Sequence, residues 1–239
     1  MPYIPECYDK PAEFFGINAV GSLNVMLACK KVGVKRVMQY STSEVYGTAQ
    51  YIPMDESHPI NPHSTYATSK VAADRLCFTL YHEQQVPVII LRQFNTYGPR
   101  ETHPYIIPEI ISQLSKSSTL HLGNISAKRD FTYVSDAARA AIELMKHKEA
   151  EGQVFNCGYG KCWSIKEIAE LIAEVMNVSN LKIVVEKQRL RPLDVQVLEA
   201  NYFKLFRLTG WKPKVSFEEG LQKTIEWFNE NGKRWPWEK

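Results

Sequence analysis

Long helical segments alternate with short apolar segments in the first hundred residues of the chain. Residues 12–32 have helical apolar spacing and end at Gly33, a suitable C-cap, and residues 64–84 form a second predicted helix. Residues 35–42 and 86–95 are predicted strands, and the second is almost continuously apolar, which is typical of a strand covered on both faces. This order of helix, strand, helix and strand predicts an α/β fold with a parallel, doubly wound sheet.

The second half of the chain mixes short strands with amphipathic helices. Ser135 is the expected N-cap of one helix, and Ser164 with Glu167 has the spacing of a capping box. Ser216 and Glu219 repeat that spacing before the last predicted helix. We expect a smaller mixed α/β lobe built onto the sheet, with some of its segments packing back on the sheet.

No glycine-rich phosphate-binding turn occurs in these 239 residues. A doubly wound sheet that binds a nucleotide opens with a strand, a glycine-rich turn and a helix, because the turn lets a pyrophosphate reach the helix N-terminus. The first predicted helix here is instead typical of one from the middle of such a sheet. We therefore expect a partial Rossmann-like sheet that lacks its first strands and glycine loop and exposes an apolar edge.

The bulk composition argues against several classes of protein. A net charge of +3 without a long run of Lys and Arg predicts no nucleic-acid partner and no membrane surface. The five cysteines form no Cys-x-x-Cys pair and the six histidines have no zinc spacing, so we expect reduced thiols and no metal. The N-terminus lacks the features of a signal peptide, and no apolar run approaches the ~20 residues that span a bilayer, so the expected location is the cytoplasm.

Tyr66 and Lys70 lie four residues apart on a predicted helix, which places a phenol and an ammonium on one face. A free phenol with a pKa near ~10 is a poor base at neutral pH. A nearby Lys cation favours the phenolate, and lowering the pKa by roughly three units takes about 4 kcal/mol. Such a phenolate suits removal of a proton from a sugar hydroxyl, whereas an exposed helical pair is the competing interpretation.

Hydroxyls and a carboxylate follow the first predicted strand at Ser41, Thr42, Ser43 and Glu44. Ligands of open α/β sheets bind at the carboxyl ends of the strands. A turn in which the hydroxyls only satisfy backbone groups would have the same composition. Together with Tyr66 and its lysine, the four residues predict an active site at this edge of the sheet.

Six segments in their order resemble the extended short-chain dehydrogenases/reductases, the family of NAD-dependent sugar-nucleotide epimerases and dehydratases. They are N-A-V-G-S-L-N (18–24), S-T-S-E-V-Y-G (41–47), Y-A-T-S-K (66–70), R-Q-F-N-T-Y-G-P-R (92–100), R-D-F-T-Y-V-S-D (129–136) and R-P-L-D (191–194). The resemblance covers essentially the whole chain. It implies that residues 1–98 are the C-terminal part of a dinucleotide-binding domain and that residues 99–239 are mainly a nucleotide-sugar-binding lobe.

The resemblance also implies a reaction. Dehydratases of the family carry Thr-Asp-Glu or Thr-Ser-Glu after the strand-end Ser, and this chain has Thr42, Ser43 and Glu44. Tyr66 would begin oxidation at C4 of the hexose, and Glu44 would remove the C5 proton. Loss of water from C6 and return of hydride to C6 would give a 4-keto-6-deoxy sugar. Because the glycine loop for the cofactor is missing from these residues, the resemblance also allows a chain that is inactive alone. Alternatives are a 4-epimerase and a non-catalytic protein that binds a nucleotide sugar or a partner.

The same resemblance assigns the remaining contacts. The cofactor is NAD, and the residues expected to hold it are Asn18, Ser41, Tyr66 and Lys70. The residues expected to hold the nucleotide sugar are Thr42, Asn95, Arg129, Arg191 and Asp194, with Arg100 a weaker candidate. Relatives commonly dimerise through the helix that bears Tyr-x-x-x-Lys and its neighbour, so we expect a homodimer through residues 12–32 and 64–84.

Overall fold

Helices and strands alternate along the chain, of which the computed structural model describes residues 1–238. The helices are α1 (Pro11–Val32), α2 (Thr65–Gln84), α3 (Ile106–Leu114), α4 (Val134–Lys146), α5 (Ile165–Val175), α6 (Phe203–Thr209) and α7 (Phe217–Glu230). The strands are β1 (Val37–Thr42), β2 (Val88–Gln93), β3 (Asn95–Tyr97), β4 (Thr119–Leu122), β5 (Lys128–Tyr133), β6 (Val154–Cys157), β7 (Cys162–Ser164) and β8 (Lys182–Val185).

The main sheet has the strand order β1-β2-β6, and both pairs are parallel. Thr42 lies opposite Gln93, and Gln93 lies opposite Cys157, so the three carboxyl ends are level. Alternate residues of β2 enter two different apolar clusters. Val88 and Ile90 pack with α1 and α2, whereas Ile89 and Leu91 pack with α4, α6 and β6. A central strand buried on both faces by helices is the doubly wound arrangement that its continuous apolar run predicts.

Helix α1 ends as predicted but is interrupted near its start. Gly33 adopts the left-handed conformation with φ of 69° and caps the helix through its backbone N–H. Residues Gly16–Val20 form a π-helical turn, and Phe14 and Met26 are buried on the inner side of the helix. The helix is long and apolar enough to cross a membrane by length and composition alone, contrary to the expectation that no apolar run would approach that length. Helices in the core of a soluble protein pass the same test of length and composition, so one such helix is weak evidence for a membrane span.

The second half of the chain builds two small sheets and also contributes to the main one. Strand β5 pairs in parallel with β3 and antiparallel with β7, and β4 pairs in parallel with β8. Helices α3, α5 and α7 enclose an apolar cluster centred on Trp163 and Phe217, whose rings stack at 4.3 Å between centroids. Residues Val154–Cys157 pair with β2 and so return to the main sheet, as expected.

Two of the three expected N-caps are present. Ser164 and Glu167 form a complete capping box, and the Ser216 side chain accepts a hydrogen bond from the Glu219 N–H. The expectation for Ser135 was wrong. Helix α4 starts at Val134 directly after β5, so Ser135 already lies inside the helix and is exposed.

A buried polar network fixes α2 to the sheet. The Asp74 carboxylate accepts hydrogen bonds from Arg92 Nε at 2.9 Å and Nη2 at 3.1 Å. Arg92 Nη1 donates to the Tyr46 hydroxyl at 3.0 Å, and that hydroxyl donates to Asn156 Oδ1 at 2.7 Å. The network joins α2 to β2, to the turn after β1 and to β6. It therefore sets where the residues of α2 meet the carboxyl ends of the strands.

Candidate active site

A cavity of about 710 Å³ opens at the carboxyl ends of β1 and β2, between the main sheet and the second half of the chain. It is lined from four directions, by the strand ends, by the start of α2, by the loop before α3 and by the N-terminal residues. Most of the residues expected to form the site line it, namely Ser41, Thr42, Ser43, Glu44, Tyr66, Lys70, Asn95, Arg129, Arg191 and Asp194. The fold thus brings together residues that are spread over more than 150 positions of the sequence.

Tyr66 lies in the first turn of α2 and is almost fully buried. Burial raises the pKa of Tyr66 to about 12, because the phenolate loses water. The Thr42 hydroxyl lowers the pKa of Tyr66 and the Glu44 carboxylate raises it, so both side chains act on the phenol. The phenol and the carboxylate therefore share one end of the cavity, as the sequence predicts.

Lys70 does not lower the pKa of Tyr66 in the way that the sequence predicts. Its Nζ donates a hydrogen bond to the backbone carbonyl of Tyr40, and burial lowers the pKa of the lysine itself. Desolvation of the phenol is the largest influence on the pKa of Tyr66, while the Lys70 ammonium is hydrogen bonded to β1. The protein therefore holds a neutral phenol at neutral pH, and Lys70 lines the same cavity.

The strand-end hydroxyls serve two purposes. Thr42 Oγ1 accepts a hydrogen bond from the Glu44 N–H at 3.2 Å, which starts the 3₁₀ turn Ser43–Tyr46. This contact is the backbone role that competes with the functional interpretation, and it coexists with the position of Thr42 on the cavity. Ser41 differs, since its buried Oγ has no hydrogen-bond partner in residues 1–238. A buried hydroxyl without a partner is suited to a polar group of a ligand.

The guanidinium groups of Arg129 and Arg191 also line the cavity. Arg129 is buried and its Nη2 lies 3.4 Å from Asp194 Oδ1, while Asp194 Oδ2 accepts a hydrogen bond from Asn124 at 2.8 Å. Burial lowers the pKa of Arg129, Glu44 opposes that shift and the nearby Arg191 adds to it. Two cations that repel each other in a partly dry site favour an anionic ligand such as a diphosphate.

Asn18 and Arg100 do not line the cavity. Asn18 lies in the π-helical turn of α1, where its Nδ2 donates to Ser69 Oγ and to the Met1 carbonyl, each at 3.0 Å. Its Oδ1 accepts a hydrogen bond from the Met1 ammonium at 2.7 Å. The amide therefore ties the N-terminal residues to α2. Arg100 is exposed.

Several cavity residues were missed by reasoning from the sequence. Tyr3 stacks on His103 at 5.5 Å and meets the edge of Tyr105 at 5.6 Å between ring centroids. Glu101 and Arg189 line the cavity as well. These side chains come from the N-terminal residues and from two irregular segments, where no periodicity marks which residues point inward. Clustering of Tyr and His near the loop is the only signal that the sequence offers for them.

Comparison with known proteins identifies the family of the chain. The family model for GDP-mannose 4,6 dehydratase matches residues 2–224. The chain is 31% identical to the GDP-6-deoxy-D-mannose reductase of Pseudomonas aeruginosa, over 92% of this chain and 75% of the reductase. It is 33% identical to the human dTDP-D-glucose 4,6-dehydratase, over 93% of this chain and 65% of that enzyme.

A solved structure gives the same result for the fold. DesIV, the dTDP-glucose 4,6-dehydratase of Streptomyces venezuelae with NAD and TYD bound, superposes with a TM-score of 0.92 at 26% identity, over 98% of this chain and 72% of DesIV. The fold is that of the short-chain dehydrogenase/reductase class. Within that class, the chain belongs to the GDP-mannose 4,6 dehydratase family. It spans about two thirds of the length of the human relative.

Proposed function

We propose that the protein is an NAD-dependent sugar-nucleotide 4,6-dehydratase. The observation that carries the proposal is the Glu44 carboxylate, which faces the same end of the cavity as the Tyr66 phenol. A 4-epimerase needs a base at one carbon only, whereas elimination of water across C5 and C6 needs a second one. The hydrogen bonds of Glu44 within residues 1–238 involve its backbone, so its carboxylate oxygens are free for that task.

We assign each step of the reaction to a residue that lines the cavity. Tyr66 takes the proton of the C4 hydroxyl, and the ammonium of Lys70 stabilises the phenolate when it turns from the Tyr40 carbonyl toward the ligand. Glu44 removes the C5 proton, which the neighbouring 4-ketone makes acidic. Arg129 and Arg191 hold the diphosphate, with Asn95 and Asp194 on the nucleotide sugar. Thr42 hydrogen bonds to the hexose beside the phenol.

The residues near Tyr66 also fit the cofactor. NAD bound there would supply the hydride chemistry at C4 and C6 of the hexose. The partnerless hydroxyl of Ser41 and the half-buried ammonium of Lys70 offer polar contacts to ribose hydroxyls at the carboxyl ends of the strands. We assign the cofactor to residues 1–98 and the nucleotide sugar mainly to residues 99–239.

The test is product analysis. Purified protein is incubated with NAD and, in separate reactions, GDP-mannose, dTDP-glucose and UDP-glucose, and the products are separated and weighed by mass spectrometry. The expected product has lost one water and carries a 4-ketone and a C6 methyl group. A product of unchanged mass with inverted C4 would reject the proposal in favour of an epimerase.

Variants separate the two proposed bases. Tyr66→Phe is expected to abolish all turnover, since no group then takes the C4 hydroxyl proton. Glu44→Gln is expected to form the dehydrated product more slowly by roughly 10²-fold or more. Glu83→Gln, an exposed position at the far end of α2, is the matched control and keeps the wild-type rate. Equal rates for Glu44→Gln and this control would contradict the mechanism.

A further inference from the structure

The loop before α3 turns one carboxyl into the cavity. Arg100 has a positive φ of 65°, an uncommon conformation for a residue with a side chain. The reversal leaves Arg100 exposed, whereas the next residue, Glu101, lines the cavity. Strained backbone is retained where the surrounding structure needs the resulting geometry. The geometry gained here is a glutamate that faces the ligand space.

Glu101, Tyr105 and Tyr66 line the same cavity. Burial raises the pKa of Tyr105, and the Tyr66 phenol and the Glu101 carboxyl raise it further, so both groups act on Tyr105. The Glu101 carboxyl and the Tyr66 phenol therefore face one common ligand space.

Among residues 1–238, four carboxyl groups line the cavity, and three of them are already engaged. Glu44 is the proposed base. Glu109 is paired with Arg189 at 3.1 Å, and Asp194 is paired with Arg129. Glu101 has no ion pair with any residue of the described chain. Burial raises its pKa to about 7, and only the Thr102 backbone N–H opposes that shift. A large fraction of this group carries a proton at neutral pH.

We propose that Glu101 is the acid that protonates the departing C6 oxygen of the nucleotide sugar, an assignment that rests on the proposed 4,6-dehydratase function. Loss of hydroxide from C6 needs a proton donor, and the Ser43 hydroxyl beside Glu44 is too weak an acid. Two carboxyl groups in the same cavity then have different roles, with Glu44 as the base and Glu101, whose pKa burial raises, as the acid.

The step balances in protons and electrons. Glu44 removes the C5 proton of the 4-keto sugar to give an enolate, and in the elimination that follows the enolate electron pair forms the C5–C6 double bond. The C6–O bond breaks as the Glu101 proton moves to the oxygen, and water leaves. Glu101 is left as a carboxylate and recovers its proton from solvent through the open end of the cavity. Oxidation at C4 precedes this step and does not involve Glu101.

Glu101→Gln separates the acid from the base. The amide has the same shape but donates no proton to a leaving group. Wild type and variant are incubated in deuterated water with NAD and the nucleotide sugar that the wild type dehydrates. We expect the variant to form the 4-keto-6-deoxy product more slowly by roughly 10²-fold or more. The recovered substrate is expected to carry deuterium at C5, because oxidation and C5 proton exchange continue without elimination.

Glu6→Gln is the matched control. Glu6 also acts on Tyr105 but does not line the cavity, so this variant is expected to dehydrate at the wild-type rate without C5 exchange in recovered substrate. Glu101→Gln with wild-type product formation would overturn the assignment. Loss of both product and C5 exchange would also overturn it, because the defect would then precede elimination. A wild-type protein that forms no dehydrated product would reject the proposed function itself.

Discussion

Asp74→Asn tests the network that holds α2 on the sheet. The Asp74 carboxylate receives two hydrogen bonds from Arg92, whose side chain is only 2% exposed. The substitution keeps the shape of the side chain but leaves the guanidinium without its counter-charge. Removing one partner of a buried ion pair costs about 3 to 5 kcal/mol, because the remaining charge stays buried. We expect a loss of that size in the free energy of unfolding.

The assay is urea unfolding followed by tryptophan fluorescence. With a slope of about 3 kcal/mol per M, the midpoint is expected to fall by about 1 M or more. The matched control is Arg75→Gln. Arg75 donates to the same carboxylate but is 41% exposed, so the control is expected to cost less than about 1 kcal/mol. A loss below about 1 kcal/mol for Asp74→Asn, or equal losses for both variants, would refute the argument.

The pH dependence of this pair has a definite sign. Burial alone would raise the pKa of Asp74, but the hydrogen bonds and charge of Arg92 hold it below its ordinary value. A depressed pKa stabilises the folded state above the unfolded pKa of about 4, and that stabilisation is lost as pH falls through the folded pKa. The difference between wild type and Asp74→Asn is therefore expected to shrink in unfolding curves recorded below that pH.

Three further outcomes are expected. Asp130→Ala leaves three backbone N–H groups without their carboxylate acceptor, of which that of Ala200 is buried, and should cost about 3 kcal/mol in urea unfolding; a cost under about 1 kcal/mol would contradict this. In Gly123→Ala the new Cβ would lie 2.5 Å from the Arg189 carbonyl oxygen, so calorimetry should show weaker nucleotide-sugar binding, while Gly16→Ala, with open space, binds normally. The outer face of α1 carries exposed apolar residues, so light scattering should find a homodimer that Val25→Glu converts to monomer; an unchanged mass would exclude this face.

Periodicity was enough to predict the main sheet and the helices beside it. The buried run of β2 and the spacing of α1 and α2 are local patterns that the tertiary structure reinforces. Tyr66 and Glu44 were predicted to meet because the carboxyl ends of neighbouring strands share one edge of a sheet. The prediction for Ser135 failed because nothing in the sequence shows that β5 runs into α4 without a turn.

Electrostatics and irregular segments were beyond the sequence. The spacing of Tyr66 and Lys70 predicts a lowered pKa for the phenol, yet burial of the phenol and the hydrogen bond of Lys70 to Tyr40 depend on the whole fold. Glu101 was missed because its direction depends on one backbone angle at Arg100. The residue type of Arg100 does not predict this angle, because glycine is the residue that usually adopts a positive φ.

Tyr66, Lys70 and Asp74 follow one another in α2 at intervals of four residues and so lie along one face of the helix. Tyr66 and Lys70 line the cavity, whereas Asp74 forms the ion pair with Arg92 that holds the helix on the sheet. A single residue inserted between Lys70 and Asp74 would rotate the two ends by about 100° relative to each other. Changes in length can therefore be accommodated in the irregular segment between residues 47 and 64, and not within the helix. Insertions made in these two places would show how strictly the register of α2 is constrained.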